Sequence, residues 1–428
     1  MEIDYEKASF KDFENIPGLN AFERAGAFND YLNFLDEKGH LNYRLLNTTG
    51  CGPELSIQTS RALGSQRYVS FVSNDYLGFT QHPEVKKSMI EGIQKFGSGA
   101  GASPAIGGHF EFHQALENKI AAFFHRKTAI LYTTGYTANS ATFQSLLQKE
   151  DIAILDMAVH ASIYEGCQLT NVKTFLHNNL EMLERILKDA QRKYRTKMVI
   201  IDGVYSQDGD LAPLDEVVKL CRQYGAFLAV DDAHGTGVIG RTGRGLIEQY
   251  DLFDQVDIIT GTFSKTFANI GGYVVADPEL IRFLKFQSKQ HLFSVTATPA
   301  ATLGTIRAME ILDEEPIWME KLWDNILYFR TALTDMGLDV GTTRSAIIPV
   351  KIGSPSVTGE VGRLLLEAGV YANPIIYPAV NRKNARIRMS VMATHTMEQL
   401  DLALNVFNDI RKKLPITREN IRPGGYGK

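Results

Sequence analysis

Between about residue 80 and residue 280, short apolar runs alternate with stretches whose apolar positions recur every three or four residues. The runs at 129–132, 152–155, 173–176, 198–202, 227–231, 257–260 and 272–276 have strand length and are flanked by polar or glycine-containing turns. Between them the spacing predicts helices. Val85, Met89, Ile93 and Phe96 follow the starter His82-Pro83 and stop at Gly97; a second helix covers 113–124; a third covers 215–224 and ends at Gly225. Strands that alternate with helices require crossover connections, so the expected fold is α/β with a mostly parallel sheet. Ligands in such sheets sit at the carboxyl ends of strands. Polar groups cluster there in this chain, at Thr133-Thr134-Gly135-Tyr136, at 202–210 and at Asp231-Asp232-Ala233-His234.

From about residue 301 the pattern changes. A long helical stretch, 301–336, is interrupted at Pro316; apolar runs follow at 347–352, 361–368 and 386–392, and a last helix covers 397–413. This order suggests a smaller α+β domain. The expected organisation is an N-terminal arm (1–60), helical and then turn-rich, a large domain (61–300) and a small C-terminal domain (301–428). With 44% hydrophobic and 22% charged residues the chain can bury a sizeable core. A net charge of −4 gives no general attraction to nucleic acid. Three distant cysteines, Cys51, Cys167 and Cys221, form neither a metal-binding pair nor a disulfide framework, and no segment resembles a signal peptide or a membrane span; a cytoplasmic protein is expected. The basic C-terminus (Arg411, Lys412, Lys413, Arg418, Arg422, Lys428) reads as a solvated helix end and an irregular tail through Pro423-Gly424-Gly425, and the sharper alternative is a weak peripheral contact with anionic lipid headgroups.

Two motifs change the picture. Lys265 lies in Gly261-Thr262-Phe263-Ser264-Lys265-Thr266, a small-residue turn, and Asp231 closes an apolar strand upstream. A lysine amine that forms a Schiff base with an aldehyde, and a carboxylate that keeps a pyridine nitrogen protonated, are what a pyridoxal 5'-phosphate enzyme needs. A buried strand-end acid is costly unless paired, and a pyridinium is a natural partner. A helix starting near Thr262 would offer amides and a hydroxyl to the phosphate, as would the helix start at Gly135-Tyr136. His160 is placed to lie on the cofactor ring, while Ser206 and His234 can bond its hydroxyl. Arg386 and Arg388 alternate on one strand face, where one of them would clamp a carboxylate bidentately. Alone, each has a plainer reading: a surface lysine, a capping or core histidine, a turn serine, a solvated edge strand. Together they favour the cofactor site, with no metal.

Over roughly residues 71–404 the order of motifs resembles the α-oxoamine synthases, a fold-type I pyridoxal phosphate family. The motifs are Ser73-Asn74-Asp75-Tyr76-Leu77-Gly78, His160-Ala161-Ser162, Asp208-Gly209-Asp210, Asp231-Asp232-Ala233-His234-Gly235 and Gly261-Thr262-Phe263-Ser264-Lys265. The resemblance implies that Lys265 is the Schiff-base lysine, Asp231 the pyridinium partner and His160 the stacking group. It further implies that Ser206 and His234 hold the ring hydroxyl, that Gly135, Tyr136 and Thr262 hold the phosphate, and that Asn74, Arg386 and Arg388 bind substrate. Ser294 and Thr296 would reach the phosphate of a second subunit, which implies an obligate homodimer with sites at its interface. The implied reaction is a decarboxylative Claisen condensation of an amino acid with an acyl thioester, carried by coenzyme A or acyl carrier protein, to an α-aminoketone, with Arg388 and His160 fixing the carboxylate and Lys265 taking the Cα proton.

Val391-Met392-Ala393-Thr394-His395-Thr396 and 373–380 look like the bacterial serine palmitoyltransferases, whose product is a sphingoid lipid precursor. The stretch 235–240 and the paired arginines also look like the 8-amino-7-oxononanoate synthases of biotin synthesis. Ala102-Ser103-Pro104 stands where the palmitoyltransferases carry Gly-Ser-Arg, and Tyr377 stands where a serine is common. A cysteate acyltransferase of sulfonolipid synthesis, whose sulfonate Arg386 would meet, is a further alternative. So are transamination or retro-aldol chemistry on the same fold, and an inert partner subunit, against which the presence of Lys265 argues.

Overall fold

The computed structural model describes residues 3–58 and 65–421. The chain divides into two compact units: residues 74–206 with 210–322, and residues 1–73 with 207–209 and 323–428.

The first unit is built on a seven-stranded sheet. In spatial order its strands are Thr128–Tyr132, Gly272–Ala276, Ile258–Thr262, Phe227–Asp231, Lys197–Asp202, Ile152–Asp156 and Asn171–Phe175. Every strand expected from the apolar runs is present. Gly272–Ala276 runs antiparallel to both neighbours, and the other paired strands run parallel. The central strands are buried on both faces; Ile154, Val199, Ala229, Ile259 and Val274 have no exposed surface. Helices on either face therefore fix the sheet through continuous apolar runs instead of alternation. The helix behind His82 covers Pro83–Phe96 and stops at Gly97. The one predicted at 113–124 covers Glu111–Phe123, and Leu214–Tyr224 ends at Gly225, whose φ of 59° suits a residue without Cβ.

The second unit carries a three-stranded antiparallel sheet, Ile347–Gly353, Ala385–Ser390 and Asn373–Ile375, and a four-stranded sheet formed by Leu46–Asn47, Glu54–Gln58, Ser65–Ser70 and Val370–Tyr371. The apolar run at 361–368 belongs to the helix Pro355–Glu367. His395 is a lock within this unit. Its Nδ1 accepts from the Met392 amide (2.9 Å), its Nε2 donates to the Ser70 carbonyl (2.9 Å), and its ring stacks on Phe71 at 4.6 Å. Burial drives its pKa down to about 4, so it remains neutral. At the basic helix end, Arg411 donates to the Met336 carbonyl (2.7 Å) and Lys412 pairs with Asp409 (2.9 Å). Arg422, Pro423-Gly424-Gly425 and Lys428 lie outside the described residues. Among the described residues no helix is long and apolar enough to cross a membrane.

Candidate active site

At the carboxyl end of the seven-stranded sheet a cleft of about 220 Å³ is lined by Gly135, Tyr136, His160, Ser206, Asp231, His234, Thr262 and Lys265, together with Thr134, Asn139, Asp202, Val204, Ala233, Gly261 and Ser264. All but the arginines, Asn74, Ser294 and Thr296 among the residues singled out from sequence thus meet in one place.

The strand Thr128–Tyr132 delivers the start of the helix Gly135–Leu146. Thr134 caps it by accepting from the Thr137 amide (3.0 Å). Gly135 is required by contact: a Cβ there would sit 2.6 Å from Thr262 Cβ and 2.9 Å from its hydroxyl. The absence of that methyl lets a helix N-terminus and the Thr262 and Ser264 hydroxyls share one corner, an arrangement suited to an anion. Gly135→Val should force these elements apart at a cost of about 1–3 kcal/mol. The expected result is a roughly 5- to 150-fold higher dissociation constant for pyridoxal phosphate, read by fluorescence titration; an unchanged constant would remove the corner from the phosphate site.

Lys265 is carried differently from the expectation. No helix starts near Thr262. That residue closes the strand Ile258–Thr262, and the connection 263–271 turns back directly into Gly272–Ala276. So short a link, well under the dozen or more residues of a parallel crossover, permits only an antiparallel neighbour. The loop is pinned by Phe263 N–H to the Gly271 carbonyl (3.0 Å), Asn269 N–H to the Phe263 carbonyl (2.9 Å) and Ala268 N–H to the Lys265 carbonyl (2.9 Å). The Thr262 hydroxyl donates to the Gly271 carbonyl (2.9 Å) and accepts from the Ser264 amide (3.1 Å). Lys265 is therefore presented half-buried on a fixed hairpin tip.

Asp231 closes Phe227–Asp231 and is buried. One carboxylate oxygen accepts from Ala233 N–H (3.0 Å) and the other from Asn139 Nδ2 (2.6 Å). Asn139 Nδ2 also donates to Ser162 Oγ (3.0 Å), and Ser162 Oγ lies 2.7 Å from His160 Nδ1. His160 Nδ1 accepts from the Ser162 amide (3.3 Å) as well, so the neutral ring carries its proton on Nε2. His160 stays open to the cleft, but enclosure of its ring lowers its pKa; the Asp231 charge opposes that and the Lys265 charge adds to it. At neutral pH it is an uncharged imidazole. Asp202 stands in register beside Asp231 on the adjacent strand. Its burial, and then the Asp231 charge, push its pKa well up. Asp232 is caged by Gly203, Gly235 and Gly245, where any Cβ would come within 2.3 Å of its carboxylate, and accepts from Leu246 N–H (2.7 Å). Burial raises its pKa to about 7.

His234 Nδ1 lies 2.6 Å from the buried Tyr76 hydroxyl, which donates to Asn74 Oδ1 at 3.3 Å. Asn74 thus supports His234 from behind and does not line the cleft. Ser294 and Thr296 line a separate small cavity with Pro104 and His291. In the other unit, Arg386 and Arg388 share one face of Ala385–Ser390, as alternation predicts. Arg386 is buried and committed: Nη1 donates to Asp208 Oδ1 (2.6 Å) and the Gln207 carbonyl (3.1 Å), and Nε to the Asn384 carbonyl (2.9 Å). Lys351 faces Arg386 across the strand pair and also holds Asp208, at 3.2 Å. One carboxylate so offsets the repulsion of two opposed cations. Burial would raise the Asp208 pKa, but the Arg386 and Lys351 charges hold it below the usual range. Arg388 is half-buried, with Nη1 donating to Ser390 Oγ (2.8 Å).

Asn139 was not singled out from sequence, and Ser162 and Asp202, though they stand in the motif 160–162 and the polar cluster 202–210, were given no role there. Asn139 had a usable signal, standing one helical turn after Gly135 on the same face; Asp202 is a strand-end acid like Asp231.

These residues fit pyridoxal phosphate. A helix start closed over Thr262 suits the phosphate, a buried carboxylate suits the pyridinium and Lys265 supplies the amine. Asn139 Oδ1, buried in the cleft wall with no protein hydrogen bond, offers one further acceptor.

The chain is similar over most of its length to proteins of known family. Residues 66–407 match the family described as Aminotransferase class I and II. The 8-amino-7-oxononanoate synthase of Thermoanaerobacter pseudethanolicus is 42% identical over 83% of this chain and 90% of its own length. The 8-amino-7-oxononanoate synthase 1 of Bacillus subtilis is 40% identical over 83% and 91%. Among solved structures, the serine palmitoyltransferase of Sphingomonas wittichii superposes with a TM-score of 0.86 at 29% identity, covering 93% of this chain and 99% of that one. The 8-amino-7-oxononanoate synthase of Francisella tularensis shares the fold, with a TM-score of 0.71 at 22% identity over 81% and 98%. The chain belongs to the class I and II aminotransferase family and, within it, to the α-oxoamine synthases, acyltransferases that depend on pyridoxal 5'-phosphate and join an amino acid to an acyl thioester.

Proposed function

We propose that the Lys265 cleft condenses a small α-amino acid with an acyl thioester, forming a carbon–carbon bond between Cα and the acyl carbon and releasing carbon dioxide and the thiol. The convergence of Lys265, Asp231 and an uncharged His160 beside an anion-binding helix start supports this most directly. When bound, pyridoxal phosphate supplies a protonated ring that takes up the electron pair left at Cα. Asp231, fixed by Asn139 and Ala233, holds the negative charge that keeps such a ring protonated. Lys265 Nζ, on its pinned hairpin tip, takes the Cα proton. His160, with its proton on Nε2, donates to a substrate carboxylate oxygen. Arg388 is our candidate for the carboxylate clamp, on the chemistry of its guanidinium. The thiolate leaves the acyl carbon, the carboxylate leaves as carbon dioxide, and a proton takes its place at Cα.

For the substrate pair, the relatives at 36–42% identity favour the oxononanoate product. That name implies its precursors. Carbons 8 and 9, an amine-bearing carbon and a methyl, are what alanine leaves after decarboxylation, and carbons 1–7 are a seven-carbon diacid joined through one end as a thioester. A second reading, serine with a palmitoyl thioester, is favoured by the closer superposition on serine palmitoyltransferase, which covers 93% of this chain against 81% for the oxononanoate synthase structure. A sulfonate-bearing amino acid has less support, because Arg386, the residue that would meet it, is engaged by Asp208. We further propose a homodimer. Ser294 and Thr296 do not line this chain's cleft, and Phe293 and Val295 beside them expose 85% and 56% of their surface.

The deciding experiment titrates the coloured holoenzyme with alanine, serine, glycine and cysteate while following its visible absorption, then adds the seven-carbon diacid or palmitoyl thioester and measures free thiol. Tight spectral conversion by alanine and thiol release with the diacid thioester are expected. Serine with palmitoyl thioester would replace the first reading by the second, and no response to any amino acid would overturn the proposal.

A further inference from the structure

Outside the lining of the cleft sits a cluster, half-buried at His177 and Asp210 and fully buried at Asp156, with no part in the steps above. His177 follows the strand Asn171–Phe175. Its Nδ1 lies 3.1 Å from Asp156 Oδ1 and its Nε2 2.9 Å from Asp210 Oδ2, and its ring meets that of Tyr205 edge-on at 4.3 Å and 84°. The two carboxylates belong to two different approaches to the site. Asp156 ends the strand Ile152–Asp156 and is wholly buried. It also accepts from Ala158 N–H (2.8 Å) and Asn178 N–H (2.8 Å), while its carbonyl accepts from Val159 N–H (3.2 Å). Asp156 therefore shapes the turn that delivers His160. The Asp210 carbonyl accepts from Tyr205 N–H (3.1 Å), and a bridge between Val204 and Leu211 closes the same turn of chain next to Ser206.

We propose that His177 is a positioning residue, a cross-brace between Asp156 and Asp210 that fixes the turn presenting His160 against the turn presenting Ser206. The inference rests on the reading of the cleft as the pyridoxal phosphate pocket. Both ring nitrogens face carboxylates, with Asn178 Nδ2 also 3.4 Å from Nε2, and the charged ring, which donates from both nitrogens, suits these two acceptors. Burial alone would lower the pKa of His177, but its bonds to Asp156 and Asp210 and their charges outweigh that and raise it to about 10. The ionisable groups facing it are Asp156, Asp210 and the Tyr205 phenol. Because the folded-state value lies above the ordinary 6.5, the stability contributed by the brace is complete below about pH 6.5 and is lost as pH rises through about 10.

The test compares wild-type holoenzyme with His177→Gln, which can donate but cannot carry the charge, and with Asp210→Asn, which loosens one end of the brace should His177→Gln fail to fold. Displacing His160 and Ser206 by a fraction of an ångström to an ångström is expected to lower kcat about 10- to 100-fold. It should also reduce the visible circular dichroism of the bound cofactor, which reports the asymmetry of its surroundings, and leave KM for the acyl thioester unchanged. Pairing the two substitutions should add nothing beyond His177→Gln. The difference in Tm between wild type and His177→Gln should shrink from pH 6.5 towards pH 10. A variant that melts earlier yet keeps wild-type kcat and dichroism below its Tm would show His177 to be merely structural and overturn the proposal. A wild-type protein that never becomes coloured with pyridoxal phosphate would instead overturn the reading of the cleft.

Discussion

Lys265→Ala should still take up pyridoxal phosphate but lack the visible absorption of the lysine-bound cofactor, and should turn over about 10²–10⁴-fold more slowly from loss of the proton-transferring amine alone. The expectation follows from how the structure presents this side chain. Its loop is held by three backbone hydrogen bonds and by the Thr262 hydroxyl, none of which involves the Lys265 side chain. The substitution therefore removes the amine without unfolding the hairpin that carries it. Lys265→Arg separates charge from chemistry: it keeps a cation near His160 but has no amine that can be deprotonated, and it should be as inactive as the alanine variant. A Lys265→Ala protein that keeps both the visible band and turnover would show that another amine does the work.

Asp231→Asn should leave the visible band in place, because Lys265 is intact, yet lower kcat by two to three orders of magnitude or more. A charge removed from one side of a buried pair costs about 3–5 kcal/mol, and here the lost partner is the carboxylate that keeps the cofactor ring protonated. The isostere also brings an amide NH₂ to a position that now accepts from Asn139 at 2.6 Å and from Ala233 N–H at 3.0 Å, so one of those donors loses its acceptor. Two titrations provide an internal check. The Asp231 charge holds the His160 pKa up against ring enclosure, so in the variant it should fall further. The same charge adds to the rise of Asp202, so that carboxyl should titrate lower than in wild type. Measured by NMR, both shifts should be downward; an unchanged His160 would disconnect it from Asp231 and from the Asn139–Ser162 relay.

Much of the larger unit was legible because its central strands are buried on both faces and read as unbroken apolar runs. The residues of the cofactor pocket were legible because the carboxyl end of a parallel sheet gathers them: Gly135, His160, Ser206, Asp231 and Lys265 each follow or end a strand. What escaped depends on pairings made across the fold. The sequence around Thr262 looks like a helix start, yet the antiparallel pairing of Gly272–Ala276 decides that the segment is a hairpin tip. Asn139, Ser162 and Asp202 carry only local signals, a helical face, a motif neighbour of His160 and a strand end, and their roles arise because the fold brings Asp231 beside them. Arg386 looked available for a substrate on alternation alone; its partner Asp208 lies 178 residues earlier, and only the folded unit brings them together. Likewise, nothing local marks His177 as lying between Asp156 and Asp210.

The most direct test of the central claim uses carboxyl-labelled alanine and serine with the holoenzyme, measuring labelled carbon dioxide and free thiol in one reaction. The account predicts that both appear, in a one-to-one ratio, only when amino acid and acyl thioester are present together, and that neither appears with Lys265→Ala. Labelled carbon dioxide released without thioester, or an amino acid converted to its keto acid with the label retained, would contradict it.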